Sequence, residues 1–290
     1  ELFIKTLNWP TIVDGSNHQL KVLDNVAQCA DDGANELIKA IPDKILYLGG
    51  PWISKKMAGV INDHKGNVMH ISQSYRPVVP LPLQTINADV SQLTKFIQSK
   101  SAYYNMVKLN QLTNQRINRA IKSNREFGVI HRLLMGVSDQ PFDAFIANSS
   151  PIRYVDQCRI PNLRKLYCNR GASGIDGNIA TVIGGALEAD EIPLLAIIGD
   201  LAALYDLNSF LLMDRVRRPL TIVIINNGGG CIFEQLPIST QYEDFDDHFK
   251  LAHSKKITPI IQGMGVSAAL SSNDTKIPID FTGNVIEIKI

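Results

Sequence analysis

The chain has 290 residues, 45% of them hydrophobic and 20% charged, with 29 Lys+Arg against 28 Asp+Glu for a formal net charge of +1. This is enough apolar material for one large domain or two ordinary ones, and the balanced charge argues against both a dedicated nucleic-acid binder and an acidic disordered protein. No apolar run approaches the roughly 18 residues of a membrane-spanning helix, and the opening Glu1-Leu2-Phe3-Ile4-Lys5 does not read as a signal peptide.

Along the first part, strands alternate with helices. The pattern predicts the tail of a helix over 1–7, a short strand over 11–14, a helix over 32–40 and a buried strand over 44–49. A helix over 55–63 and a strand over 68–72 follow. Pro77, Pro80 and Pro82 mark an extended connection over 76–90, and a polar helical stretch over 90–125 links it to the second part. Strands separated by helices mean parallel pairing with crossovers.

In the second part, a strand over 142–148 ends at Asn148-Ser149-Ser150, and another ends at Asn169-Arg170. The segment Gly171-Ala172-Ser173-Gly174-Ile175-Asp176-Gly177 opens a helix of small residues through Ala186. Leu194-Leu195-Ala196-Ile197-Ile198 is wholly apolar, as strands buried on both faces are, and ends at Gly199-Asp200. A helix is expected over 201–216. A second buried strand over 220–225 ends at Asn226-Asn227-Gly228-Gly229-Gly230, and a last strand covers 285–290. The expected fold is α/β, with two doubly wound parallel-sheet domains over 1–112 and 113–290.

Ser149, Arg170, Asp200 and Asn227 each follow the C-terminal end of a strand. In an open parallel sheet those ends line the crevice where ligands bind. Singly, each is as well explained as an ordinary turn residue or surface arginine. Together, Asp200, Asn227 and a carbonyl at Gly229 are three hard oxygen donors of the kind Mg²⁺ takes, with phosphate oxygens and water completing an octahedron. The residues therefore point to a Mg²⁺–diphosphate site. No Walker A sequence occurs, which argues against a P-loop NTPase. The four cysteines, Cys29, Cys158, Cys168 and Cys231, form no C-x-x-C pair and read as reduced thiols of a cytoplasmic protein. His248 and His253 do not have zinc-site spacing.

Gly199-Asp200, one helix–strand unit, then Asn226-Asn227 resembles the signature of thiamine diphosphate-dependent enzymes. The runs 169–177 and 199–208, with Ile232-Phe233 and Leu236-Pro237, are similar to the 2-succinyl-5-enolpyruvyl-6-hydroxy-3-cyclohexene-1-carboxylate synthase family of menaquinone biosynthesis. That resemblance implies a transferase that decarboxylates 2-oxoglutarate and adds the remaining four-carbon unit to isochorismate, with thiamine diphosphate and Mg²⁺ as cofactors. It implies Asp200, Asn227 and the Gly229 carbonyl as metal ligands, and Ile175, Gly199, Leu201 and Ala202 as further cofactor contacts. Ser149, Arg153 and Arg170 would meet substrate carboxylates, Ile232, Phe233 and Leu236 would wall the reacting carbons, and Lys55 and Lys56 would be a basic substrate pair. Lys56 stands where the family usually has Arg, and Ala202 where it often has Ser.

By the same resemblance, residues 1–112 are a partial middle domain and 113–290 the diphosphate-binding domain. The pyrimidine-binding domain, with its activating glutamate, is expected to be absent and the chain alone inactive. A homo-oligomer, dimer or tetramer, is expected. Two alternatives stay open: an acetolactate-synthase-type enzyme, which would not need both arginines, and a non-catalytic assembly module or remnant. Glu234 has no assignable role, and the acidic run 243–247 reads as a solvated loop.

Overall fold

The computed structural model describes residues 4, 9–23, 25–72, 85–88, 106–137, 140–272 and 279–290. The chain divides into two units, Glu1–Asn118 with Asp156–Arg159, and Arg119–Val155 with Ile160–Ile290.

In the first unit, strands β1 (Thr11–Ile12) and β2 (Val26–Ala27) form a small parallel pair. Strands β3 (Ile45–Leu48), β4 (Val68–Ser72) and β5 (Thr85–Asn87) form a parallel sheet in that order. Helix α1 (Ala30–Lys39) leads from β2 into β3, helix α2 (Lys55–Asp63) supplies the β3–β4 crossover, and Ala34, Tyr47, Met57, Val60, Ile61 and Val68 form the core. Helix α2 starts where it does because the Ser54 hydroxyl accepts the Met57 amide at 2.9 Å, satisfying one of the unpaired N–H groups of the first turn. Lys21 is buried: its ammonium donates to the Asp156 carbonyl and lies 3.9 Å from the Asp156 carboxylate. The helix tail expected over 1–7 and most of the connection expected over 76–90 fall outside the described residues.

The expected polar linker helix is described from Met106. It is two helices, α3 (Met106–Ser123) and α4 (Arg125–Gly136), because the Asn124 side chain accepts the Phe127 amide at 2.9 Å and restarts the helix.

The second unit is built on strands β6 (Phe142–Ile146), β7 (Leu163–Tyr167), β8 (Leu194–Gly199), β9 (Leu220–Asn226), β10 (Ala268–Ser272) and β11 (Thr282–Lys289). They form one all-parallel sheet in the order β10-β11-β9-β8-β6-β7. Its crossovers include α5 (Ser150–Gln157), α6 (Asn178–Gly185), α7 (Asp200–Tyr205) and α8 (Ile257–Gly263). Alternate residues Leu194, Ala196, Ile198, Leu220, Ile222 and Ile224 face one core with Ile179, Ile183, Phe210 and Ile257, while the intervening residues of β8 and β9 are buried on the other face.

Several expectations are corrected here. The helix expected over 201–216 ends at Tyr205 and continues as 3-10 turns over Leu207–Arg215. The cause is Asp206, whose carboxylate takes the Ala180 amide at 2.9 Å and the Ser209 hydroxyl at 2.5 Å, so its local bonds compete with helix continuation. Helices α5 and α8 and strand β10 carry too short a periodic signal to be read in advance. The acidic run 243–247 is not all solvated loop: Phe245 is buried, and Asp246–Lys250 forms a π-helical turn. No helix among the described residues is long and apolar enough to cross a membrane.

Candidate functional site

Because every strand of the larger sheet points the same way, the C-terminal ends of neighbouring β9, β8, β6 and β7 lie along one edge. Asn227, Asp200, Ser149 and Arg170 follow those ends in that order. From β6 the chain goes to β7 on one side and returns to β8 on the other, so the crevice between β6 and β8 is a switch point of the topology.

Asp200, the first residue of α7, is 2% exposed. Its Oδ1 accepts the Leu201 amide at 2.7 Å, and its Oδ2 accepts the Gly228 and Gly229 amides at 2.8 and 2.9 Å. His253 Nε2 lies 3.3 Å from Oδ2. His253 Nδ1 accepts the Lys255 amide at 3.2 Å, and Nε2, without a hydrogen-bond partner, faces the carboxylate. Burial pushes the Asp200 carboxyl above the usual value, and these donors only partly offset it. Oδ2 is thus saturated, while Oδ1 keeps acceptor capacity.

Asn227 follows β9. Its Nδ2 donates to Glu126 Oε2 at 3.2 Å, and its Oδ1 is buried with no hydrogen-bond partner. A buried acceptor without a donor is costly unless something positive meets it. This orphaned oxygen, on the residue before the Gly228 amide that binds Asp200, fits a hard divalent cation beside the carboxylate. The Gly229 carbonyl accepts the Cys231 amide at 3.0 Å, which leaves it one lone pair. Among the described residues no group of three or more His, Cys, Asp or Glu is set to hold a metal, so a cation here would draw on amide and carbonyl oxygens as well as Asp200.

The glycines of this turn are required. Gly228 and Gly229 have φ of +82° and +139°, and a Cβ on Gly229 would lie 2.6 Å from the Lys250 carbonyl oxygen. Segment 250–253 closes over the turn: Gly230 donates to the Lys250 carbonyl at 2.6 Å and His253 to the Gly228 carbonyl at 2.9 Å. Beside it, a cleft of about 440 Å³ is lined by Leu201, Leu204, Tyr205, Leu251, His253 and Lys255.

On the β6 and β7 side, Ser149 turns the chain with φ of +75°, and its carbonyl accepts Arg153 Nη1 at 2.8 Å. Arg170 Nη1 donates to Asn148 Oδ1 at 3.3 Å, while its buried Nε has no partner. Burial, aided by the positive charge of Arg170, lowers the Arg153 pKa from the usual arginine range. Two guanidiniums following the ends of neighbouring strands suit an anion, and a planar fork suits a carboxylate. Asn148 also donates to the Asn169 and Gly174 carbonyls at 2.9 and 3.3 Å, tying the arginine to the glycine-rich loop.

Ile175, Phe233 and Leu236 are 38%, 40% and 37% exposed, so none is a core residue; Ile232 is half-buried. Gly199 ends β8, and Leu201 and Ala202 lie in the first turn of α7, Ala202 buried. Lys55 and Lys56 lie exposed on the first turn of α2, in the other unit. Glu234 is ion-paired to Lys250 at 2.6 Å.

Sequence reasoning missed Glu126, Asn148 and His253. An acidic residue just after a helix cap is ordinary for its interaction with the helix dipole, so nothing local marks Glu126. Asn148 is legible as a strand-end residue beside Ser149, but its three side-chain bonds reach residues up to 26 positions away and leave no local pattern. His253 carries no local pattern that points to Asp200.

No family model matches the chain. It is 33% identical over 243 residues to a 2-succinyl-5-enolpyruvyl-6-hydroxy-3-cyclohexene-1-carboxylate synthase of Chlorobium phaeobacteroides, covering 78% of this chain and 41% of the relative. The Shewanella halifaxensis synthase of the same name is 31% identical over 272 residues, 85% of this chain and 45% of its own. The Roseiflexus sp. synthase is 43% identical over 111 residues, 38% of this chain and 19% of its own. The chain spans less than half the length of these curated relatives. Over the greater part of its length, then, the chain belongs to the 2-succinyl-5-enolpyruvyl-6-hydroxy-3-cyclohexene-1-carboxylate synthase family.

Proposed function

We propose that the second unit is the diphosphate-binding domain of a thiamine diphosphate- and Mg²⁺-dependent synthase of menaquinone biosynthesis, and the first unit part of its middle domain. The enzyme would be a transferase acting on 2-oxoglutarate and isochorismate. The observation that carries the reading is the presence, along one sheet edge, of an unpartnered Asn227 oxygen and buried Asp200 together with Arg153 and Arg170 at the ends of β6 and β7.

When bound, thiamine diphosphate supplies the electron sink for the pair of electrons left behind as 2-oxoglutarate loses CO₂. In this reading Asp200 Oδ1, Asn227 Oδ1 and the Gly229 carbonyl hold Mg²⁺, with Gly199, Leu201 and Ala202 framing the diphosphate. Ile175, on the loop tethered by Asn148, supports the cofactor. Arg153 and Arg170 hold substrate carboxylates, which fixes the reacting carbon and offsets the charge of a dianion. Ser149 is a polar contact beside them. Ile232, Phe233 and Leu236 are exposed apolar surface of the kind a bound substrate covers, excluding water.

Calorimetric titration with 2-oxoglutarate and with pyruvate tests the substrate class. The reading expects binding of the dicarboxylate, no comparable binding of pyruvate, and loss of dicarboxylate binding in the Arg153→Ala/Arg170→Ala variant. Equal binding of the two acids, or a double variant that still binds 2-oxoglutarate, would overturn it.

A further inference from the structure

Asn227 can serve a cation only through Oδ1, and a carboxamide placed between two polar surroundings can rotate by half a turn and present Nδ2 instead. Something must set its direction. The group that meets its other end is Glu126, half-buried in the first turn of α4, whose Oε2 lies 3.2 Å from Asn227 Nδ2. Glu126 Oε2 accepts from Nδ2, so it holds the amide nitrogen on its own side and turns the amide oxygen to the opposite side. That oxygen is the one left buried without a partner. Helix α4 is in turn fixed by the Asn124 cap and by the stacking of Phe127 on Tyr154, with ring centroids 5.0 Å apart, so the carboxylate sits on a rigid support.

We propose that Glu126 is the positioning residue of the cation site: by holding Nδ2 it aims Asn227 Oδ1 at the metal. The inference rests on the reading of Asp200 and Asn227 as cation ligands. It assigns Glu126 no contact with metal or substrate.

Mn²⁺ binding in the presence of thiamine diphosphate, followed by electron paramagnetic resonance of free and bound Mn²⁺, tests it without turnover. Glu126→Gln keeps the shape but presents both a donor and an acceptor, so it no longer compels one orientation; Glu126→Leu removes the partner. The expected loss of Mn²⁺ affinity is up to about tenfold for Glu126→Leu, the scale of a net hydrogen bond, and smaller for Glu126→Gln. The double variant Glu126→Gln/Asn227→Asp should bind more tightly than Glu126→Gln, because the Gln amide can donate to one carboxylate oxygen and leave the other for the metal. Circular dichroism checks that each variant folds, and Glu126→Gln decides the matter if Glu126→Leu does not. Wild-type chain that binds Mn²⁺ while Glu126→Gln binds it equally well overturns the inference alone. Wild-type chain that binds no Mn²⁺ overturns the cation site and the inference with it.

Discussion

Replacing Asp143 with Leu should cost the second unit about 3–5 kcal/mol, the scale for breaking a buried ion pair by removing one partner. Asp143 is the second residue of β6 and is fully buried. Arg164 grips it with two bonds, Nε to Oδ1 at 2.8 Å and Nη2 to Oδ2 at 2.7 Å, and Arg218 adds Nη2 to Oδ2 at 2.7 Å. Arg164 is more than a third exposed at its side chain, so solvent screens its share to within about 1 kcal/mol. Arg218 is 7% exposed, and without Asp143 its nearest carboxylate is Asp190 at 3.8 Å, so this stranded guanidinium dominates the cost. Burial alone would raise the Asp143 pKa, but the bonds from Arg164 and Arg218 outweigh it and hold the carboxyl below its ordinary 3.8. A depressed folded pKa contributes stability that is present above the unfolded value and lost as pH falls through the folded one. The gap between wild type and Asp143→Leu should therefore be full at pH 7 and shrink below about pH 4. Urea unfolding followed by circular dichroism at a series of pH values measures it. Asp143→Leu/Arg218→Leu should recover most of the loss. A single variant within about 1 kcal/mol of wild type at pH 7, or a gap unchanged at pH 2.5, would refute the reasoning.

Other expectations follow from the same contacts. Gly229→Ala should weaken Mg²⁺-dependent thiamine diphosphate binding more than about tenfold, because a Cβ 2.6 Å from the Lys250 carbonyl must push the turn off Asp200; titration calorimetry reads this. Asn148→Ala removes three hydrogen bonds at about 1 kcal/mol each and frees Arg170, so it should lower stability by about 2–3 kcal/mol in urea and weaken 2-oxoglutarate binding together. Lys21→Met should destabilise the first unit by about 3–5 kcal/mol at pH 7 by leaving Asp156 buried without its countercharge. Burial already pushes the Asp156 carboxyl up to about 6, so that penalty should shrink below pH 6, where the group is neutral; thermal unfolding at pH 5 and 7.5 makes the comparison.

The parallel α/β architecture was legible because β8 and β9 are buried on both faces and read as unbroken apolar runs. The same regularity made the strand-end residues Asp200, Asn227, Ser149 and Arg170 visible, since polar residues after such runs have one edge to occupy. What the sequence did not disclose is who faces whom. Glu126 meets Asn227 across 101 positions, and Asn226 meets Glu287 across 61; no local pattern encodes either. The break at Tyr205 was hidden for a similar reason: Asp206 leaves the helix to serve Ala180, 26 residues away. The sequence points to Gly229 as a carbonyl ligand, whereas the first visible contribution of this turn is the two amides of Gly228 and Gly229 held on Asp200 Oδ2.

The measurement that bears most directly on the central claim is calorimetric binding of thiamine diphosphate to the chain with and without Mg²⁺, for wild type and Asp200→Ala. The account predicts binding that requires Mg²⁺ and disappears in Asp200→Ala while the fold, followed by circular dichroism, persists. Binding that ignores both the cation and the substitution, or a folded wild-type chain that binds nothing, would contradict it.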